Sequence, residues 1–228
     1  MYSGSELTLH SPLSLLALVL GGCWNAILGW LPRVRHAAEG REHYDLTHHI
    51  AVVTGSNTGI GKETALSLAK YGGTVILACR DSSKGIAAAN DINRELASLV
   101  GSDSEYSFPH SAHGRALYMK LDLADELSIL EFSRKVKDDF PRIDILINNA
   151  GLNSKGVLRN GVQQLFQVNY LGHYLLLRCL ESHLASRRYT TTSHASPAPL
   201  VARVINLSSV MHHVGKYVTS STAACLHI

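Results

Sequence analysis

Residues 50–61 read Ile-Ala-Val-Val-Thr-Gly-Ser-Asn-Thr-Gly-Ile-Gly, an apolar run that leads into a turn with three glycines. A helical pattern, Glu-Thr-Ala-Leu-Ser-Leu-Ala at 63–69, follows directly. A strand, a glycine turn and a helix in this order are what a dinucleotide site requires. Gly55 permits the tight turn, Gly59 lets the backbone approach a pyrophosphate, and Gly61 lets the helix pack against the strand. The cofactor-binding residues predicted here are Thr54, Gly55, Ser56, Asn57, Thr58, Gly59, Ile60 and Gly61.

Short β-branched runs alternate with helical stretches from His49 onward, which is typical of βαβ units and a parallel sheet. The predicted strands are 50–54, 74–79, 116–121, 143–147 and 203–207, and the predicted helices are 59–71, 83–100, 125–139 and 161–186. We therefore expect an α/β fold with a Rossmann-type doubly wound parallel sheet. Residues 101–114 and 186–199 are rich in Ser, Thr, His and Pro, which predicts two exposed insertions.

Composition narrows the classes of protein. With 46% hydrophobic and 17% charged residues the chain is globular, and much of its net charge of +3 comes from Arg33, Arg35 and Arg41. That distribution indicates no basic nucleic-acid face. Four scattered cysteines without a CxxC pair predict no disulfide framework, and the histidines show no metal-site spacing. We expect no metal.

Residues 13–31 carry no charge and would span about 28 Å as a helix, roughly the hydrocarbon thickness of a bilayer. Positive residues follow this stretch, which predicts a membrane anchor with the downstream domain in the cytosol. A cleaved targeting peptide and an amphipathic surface helix are the alternatives. The predicted organisation is an N-terminal segment at 1–32, a linker at 33–47, a dinucleotide-binding domain at 48–217 and an unmatched tail at 218–228.

Arg80 bears on which nicotinamide coenzyme would fit. A site that prefers NAD usually has an acid at the end of the second strand, whereas a nearby Arg accommodates the 2′-phosphate of NADP. Here the second strand ends Ala78-Cys79 and Arg80 follows. This favours NADP over NAD, although Asp81 could compete and Arg80 could be a solvated surface residue.

Three further motifs follow in order: Asn148-Asn149-Ala150-Gly151, Asn169-Tyr170-Leu171-Gly172-His173 and Ser208-Ser209. Together with the glycine turn they resemble the short-chain dehydrogenase/reductase family, and most closely its membrane-anchored, retinol-dehydrogenase-like branch. The resemblance implies that Asn149, Ala150 and Gly151 border the cofactor. It also implies that Asp122 hydrogen-bonds the adenine, although a helix-start Asp is an equal alternative. We interpret His173 as a packed helix residue.

The resemblance implies catalytic roles for two residues. Ser209 would hydrogen-bond the substrate oxygen, and Asn169 would hold a water in a proton relay. The family's acid/base is a tyrosine with a lysine four residues later, and no such pair exists here: Ser221 is the fourth residue after Tyr217. We therefore expect a truncated chain with little turnover, an open edge at the fifth strand, poor solubility, and a homodimer only if a further C-terminal part is present.

The resulting hypothesis is an NADP-dependent oxidoreductase that transfers hydride between the nicotinamide and a lipophilic alcohol or carbonyl, such as a retinoid, steroid or lipid aldehyde. We expect it to be anchored in the membrane of the endoplasmic reticulum. The alternative is a non-catalytic nucleotide-binding or membrane-associated regulatory protein.

Overall fold

Five strands form one parallel sheet within the residues that the computed structural model describes, which are 45–99, 113–154, 156–158, 161–184 and 202–209. The strands are β1 Ile50–Thr54, β2 Thr74–Cys79, β3 Arg115–Lys120, β4 Ile145–Asn148 and β5 Arg203–Asn206. Their order across the sheet is β3-β2-β1-β4-β5, and every neighbouring pair is parallel. This order reverses direction between β1 and β4, as in a doubly wound Rossmann sheet. The predicted fold class is confirmed.

Residues of the central strands alternate between the two faces of the sheet. Ile50 and Val52 pack into one apolar core, and Ala51 and Val53 pack into the other. All of β1 is buried. Burial on both faces explains why the strand reads as a continuous apolar run instead of an alternating one.

Helices cover both faces. Helices α1 (Gly59–Lys70) and α2 (Ser82–Leu99) contribute apolar side chains to the core that contains Val53. Helices α3 (Glu126–Asp139) and α5 (Gly172–Leu184) contribute to the opposite core. Each parallel crossover therefore passes over one face, and the loops at the carboxyl ends of the strands gather at one edge.

The long helix predicted at 161–186 is interrupted. The structure shows a short helix α4 (Gln164–Phe166), a π-helical turn (Gln167–Leu171) and then α5. The helix packs closely against the loop after β3 at this point: a Cβ on Gly172 would overlap the Leu123 carbonyl oxygen. π-Helical turns inside helices occur frequently at functional sites.

Strand β4 begins two residues later than predicted. Asp144 uses its side chain in the sheet: Oδ2 accepts the Ile50 N–H at 2.9 Å, where a regular strand would use a carbonyl. Among the described strands, β5 lies at one end of the sheet, and its four residues are all exposed.

All of these elements belong to one compact unit, Tyr44–Leu207, and Ser208 and Ser209 fall outside it. The predicted anchor at 13–31, residues 101–112 of the first predicted insertion, the whole second insertion at 186–199 and the tail at 218–228 lie outside the described residues. In the described part of the chain, none of the helices combines the length and apolar character needed to cross a bilayer.

Candidate functional site

The glycine turn between β1 and α1 has the backbone conformation that glycine alone adopts easily. Gly55 and Gly59 have φ values of 65° and 58°. A Cβ on Gly55 would lie 2.8 Å from the Ala150 Cα, and one on Gly61 would lie 2.5 Å from Asn149 Nδ2. The turn is therefore in direct contact with the loop that follows β4.

Helix α1 presents unpaired N–H groups at its start. Its N-cap, Thr58, has extended backbone and makes no capping hydrogen bond through its side chain, and the first turn contains no acidic residue. The first N–H groups of a helix have no partner inside the helix, and they carry the positive end of the helix dipole. An anion is the natural occupant of this position.

A cleft of about 450 Å³ opens above the switch point between β1 and β4. Ten of the predicted cofactor-binding residues line it: Gly55, Asn57, Thr58, Ile60, Gly61, Arg80, Asp122, Asn149, Ala150 and Gly151. The volume is ordinary for a small-molecule site. Its polar groups come from the turns that follow β1, β2, β3 and β4.

Three predicted residues of the glycine turn, Thr54, Ser56 and Gly59, are not among the lining residues. Thr54 and Ser56 are fully buried, and their side chains form hydrogen bonds beneath the turn. Ser56 Oγ donates to the Val53 carbonyl at 2.7 Å and lies 3.7 Å from Cys79 Sγ. Burial raises the pKa of the Cys79 thiol, and hydrogen bonding to Ser56 opposes that rise only in part.

Thr54 joins the glycine turn to the loop after β4. Its Oγ1 accepts the N–H groups of Asn149 and Ala150, at 3.0 and 2.9 Å. In return, Asn149 Nδ2 donates to the Thr54 carbonyl at 2.8 Å. These bonds fix the two turns that form the floor of the cleft.

Arg80 and Asp81 take different directions at the end of β2. Arg80 is exposed and lines the cleft. Asp81 turns toward the start of α2, where Oδ1 accepts the Lys84 N–H at 3.0 Å and the Ser83 hydroxyl at 2.7 Å. The Lys84 N–H bond, followed by the Ser83 bond, lowers the pKa of Asp81. The Asp81 carboxylate therefore bonds to the start of α2, and Arg80 lines the cleft.

Asp122 lies in the turn after β3 and lines the cleft. Its Oδ1 accepts the Ala124 N–H at 2.9 Å, within that turn. The cap of α3 is Asp125, whose carboxylate accepts the Leu127 N–H at 3.0 Å. The residue that caps the start of α3 is therefore Asp125 and not Asp122. Asp122 lines the cleft instead.

Asn169 sits within the π-helical turn and holds the loop after Gly151. Its Oδ1 accepts the Leu152 N–H and its Nδ2 donates to the Leu152 carbonyl, both at 2.9 Å. Ser209 is exposed and follows β5 by three residues, outside the compact unit. Tyr217 lies outside the described residues.

The apolar wall of the cleft was not predicted from the sequence. It consists of Leu121, Leu123, Leu152 and Val168. Leu121 directly follows β3, so the rule that ligands bind beyond the carboxyl ends of the strands could have identified it. Val168 approaches only through the packing of the π-helical turn, which no local sequence pattern indicates.

Known proteins resemble this chain over most of its length. The family model described as short chain dehydrogenase matches residues 49–224. Retinol dehydrogenase 13 of Mus musculus is 43% identical over 166 residues, which are 72% of this chain and 42% of that protein. Retinol dehydrogenase 12 of Bos taurus is 36% identical over 208 residues, 87% of this chain and 57% of that protein. The chain thus spans about half the length of these curated relatives.

A solved structure agrees with the fold. The crystal structure of a metagenomic short-chain oxidoreductase in complex with NADP has a TM-score of 0.53 and 28% sequence identity. The match covers 72% of this chain and 64% of that chain. On the family match and these relatives, the chain belongs to the short-chain dehydrogenase family, in its retinol-dehydrogenase-like branch.

Proposed function

We propose that the cleft binds NADP(H), and that the protein is an oxidoreductase acting on a lipophilic alcohol or carbonyl. The observation that carries the proposal is that two groups suited to bind phosphate lie along the same cleft. The unpaired N–H groups at the start of α1 suit the pyrophosphate, and Arg80 suits a 2′-phosphate. When bound, the coenzyme would supply or accept the hydride.

The proposed preference for NADP over NAD follows from the residues that come directly after β2. An NAD site usually has a carboxylate that accepts the ribose 2′-hydroxyl. Asp81 is the nearest acid, and its Oδ1 already accepts two hydrogen bonds from the start of α2. In the described part of the chain no carboxylate pairs with Arg80, so its guanidinium is available for a phosphate. The solved relative holds NADP.

The remaining assignments extend the family resemblance. Asn149, Ala150 and Gly151 would border the coenzyme, and Asp122 would accept a hydrogen bond from the adenine. Ser209 would bind the substrate oxygen. Asn169 would support the proton relay from its place beside Leu152. The retinol dehydrogenase relatives support a retinoid-, steroid- or lipid-like substrate. Turnover by this chain is expected to be low, because the sequence has no Tyr-x-x-x-Lys pair.

A lipophilic substrate also fits a membrane location. We propose that residues 13–31 anchor the protein in the endoplasmic reticulum with the α/β unit in the cytosol, as their hydropathy and the following arginines predict. Carbonate extraction of microsomes tests the anchor. The full chain should stay in the pellet, and release of the intact chain into the supernatant would contradict the anchor.

Calorimetric titration of the full chain, kept in mild detergent, tests the coenzyme proposal. We expect NADPH to bind at least about tenfold more tightly than NADH, since a hydrogen bond to a charged group contributes roughly 1.5–3 kcal/mol. Arg80→Gln should abolish that difference and leave NADH binding nearly unchanged. Arg94→Gln removes an equal charge from exposed α2, where Arg94 pairs with Asp91, and should leave both affinities unchanged. Equal affinities in the unchanged chain would refute the phosphate assignment.

A further inference from the structure

The hydroxyl of Thr54 has more polar neighbours than the three hydrogen bonds that it can make. Four groups lie within hydrogen-bond distance of Oγ1: the N–H groups of Asn149 and Ala150, His173 Nε2 at 2.9 Å and the Ile147 carbonyl at 3.4 Å. A hydroxyl has two lone pairs and one proton. The two backbone N–H groups can only donate, so they take both lone pairs.

The Thr54 proton must therefore go to an acceptor. His173 Nε2 is 0.5 Å closer than the Ile147 carbonyl, by the difference between 3.4 and 2.9 Å. If Nε2 carried a proton, three donors would compete for two lone pairs. The hydrogen-bond count thus makes His173 an acceptor at Nε2 and places its proton on Nδ1.

The second ring nitrogen is consistent with this tautomer. His173 Nδ1 lies 3.3 Å from the Asn169 carbonyl oxygen, one helical turn earlier, and that oxygen can only accept. The side chain is 7% exposed. Burial lowers the pKa of His173, and the bond to the Asn169 carbonyl opposes this, so the neutral ring is favoured.

We propose that His173 is a positioning residue of the cleft: Nε2 takes the Thr54 proton, which directs the Thr54 lone pairs onto the N–H groups of Asn149 and Ala150. The ring thereby connects the π-helical turn with both loops that form the floor of the cleft. His173 does not line the cleft, and the Thr54 hydroxyl connects it to the N–H groups of the loop after β4. The inference rests on the proposed function, because its consequence is the shape of the coenzyme site.

Two variants at position 173 separate hydrogen bonding from packing. His173→Gln can place a carbonyl oxygen near the position of Nε2, and His173→Phe fills similar space without an acceptor. We expect His173→Phe to weaken NADPH binding roughly fivefold to tenfold, the effect of one lost hydrogen bond. His173→Gln should stay within about threefold of the unchanged chain. Equal loss in both variants, or no loss in His173→Phe, would overturn the role of His173.

A double-mutant cycle tests whether the effect passes through the hydroxyl. Thr54→Val keeps the shape of the side chain and removes its hydroxyl, so His173→Phe should cost nothing further in that background. Independent, additive losses in the double variant would contradict the connection. Thermal melts followed by circular dichroism confirm that each variant is folded before titration.

Nitrogen-15 NMR of the histidine rings identifies the tautomer in the unchanged chain directly. The signals that disappear in His173→Gln belong to position 173, and at neutral pH they should show a protonated Nδ1 and an unprotonated Nε2. A protonated Nε2 would overturn the inference even if NADPH binds. Failure of the unchanged chain to bind either coenzyme would instead overturn the proposed function, and the inference with it.

Discussion

Single glycine positions decide whether the two loops of the cleft can meet. A Cβ at residue 61 would lie 2.5 Å from Asn149 Nδ2 and 2.7 Å from the Gly55 carbonyl oxygen. Gly61→Ala should therefore displace Asn149, destabilise the fold by about 1–3 kcal/mol through overpacking, and weaken NADPH binding about tenfold or more.

Urea denaturation and calorimetric titration measure the two effects of Gly61→Ala. Ser67→Ala, at an exposed position of the same helix, is the control and should change stability by no more than about 0.5 kcal/mol. A Gly61→Ala chain as stable and as tight as the control would show that the loops do not need this close approach.

The buried ring of His173 also predicts a pH dependence. Its folded-state pKa lies below the ordinary value of 6.5, with burial as the main cause. The groups that face it are the Thr54 hydroxyl and the Asn169 carbonyl, and no charged side chain in the described part of the chain contributes to the shift. Below about pH 6.5 the unfolded state therefore binds a proton that the folded state resists.

The contribution of His173 to stability is thus fully present above about pH 6.5 and is lost as the pH falls through the lower folded-state pKa. Between pH 7 and 5 the unchanged chain should lose stability more steeply than His173→Gln, by at most about 1.4 kcal/mol per pH unit. Asp81 and Asp91 have pKa values lowered from 3.8 and act in a more acidic range. Parallel stability curves for the two chains would contradict this assignment.

At the scale of elements, the start of the central strands is fixed by a charged pair. Arg142 Nε donates to both carboxylate oxygens of Asp144, at 2.9 and 3.1 Å, and Arg142 Nη2 donates to the His48 carbonyl at 2.6 Å. The Asp144 side chain is only 9% exposed and also accepts the Ile50 N–H. Removing the arginine would leave this carboxylate buried without a counter-charge.

We expect Arg142→Ala to lower the free energy of unfolding by about 3 kcal/mol. The matched control is Arg134→Ala on α3, where the arginine pairs with Asp138 at the surface. That exposed pair should contribute no more than about 0.5 kcal/mol. Urea denaturation measures the free energy of unfolding of both variants. Equal losses of stability would show that burial of the Arg142–Asp144 pair has no particular effect.

The sequence predicted the elements best where both faces of a strand are buried. The bounds of β1 and β2 agree with the prediction, because their apolar runs end directly at turn residues. The π-helical turn could not be predicted, since Asn169 lies in a stretch that reads as regular helix. The bond between Thr54 and His173 joins residues 119 positions apart, and only the packed fold brings them together.

The glycine turn, Arg80 and the loop after β4 were predicted as one site, and the parallel topology brings them to one edge of the sheet. What the sequence left open was the partner of each side chain. Asp81 and Asp122 both follow strands, yet Asp81 caps α2 and Asp122 stays at the cleft. Side-chain direction depends on local hydrogen-bond donors, which a linear pattern does not specify.

At the scale of the whole molecule, the sheet formed by the described residues ends at β5, which exposes apolar side chains. In β5, Val204 and Ile205 are 39% and 43% exposed. An exposed apolar edge strand offers unpaired backbone groups to another chain, so we expect association and poor solubility. Ile205→Lys should raise the fraction that stays soluble after centrifugation, because charge at an edge opposes pairing.

Leu127→Lys provides the control for the edge, since Leu127 is 69% exposed on α3 and receives the same charge. It should change solubility less than Ile205→Lys. An equal gain from both variants would mean that net charge, and not the edge of β5, governs solubility.

We infer that the turn at the start of α1 binds the pyrophosphate of a nicotinamide coenzyme. Crystals of the chain soaked with NADPH test it most directly. We predict electron density for the pyrophosphate within hydrogen-bond distance of the first N–H groups of α1, with the 2′-phosphate against Arg80. A cleft without coenzyme density at saturating NADPH, or coenzyme bound elsewhere, would contradict the claim.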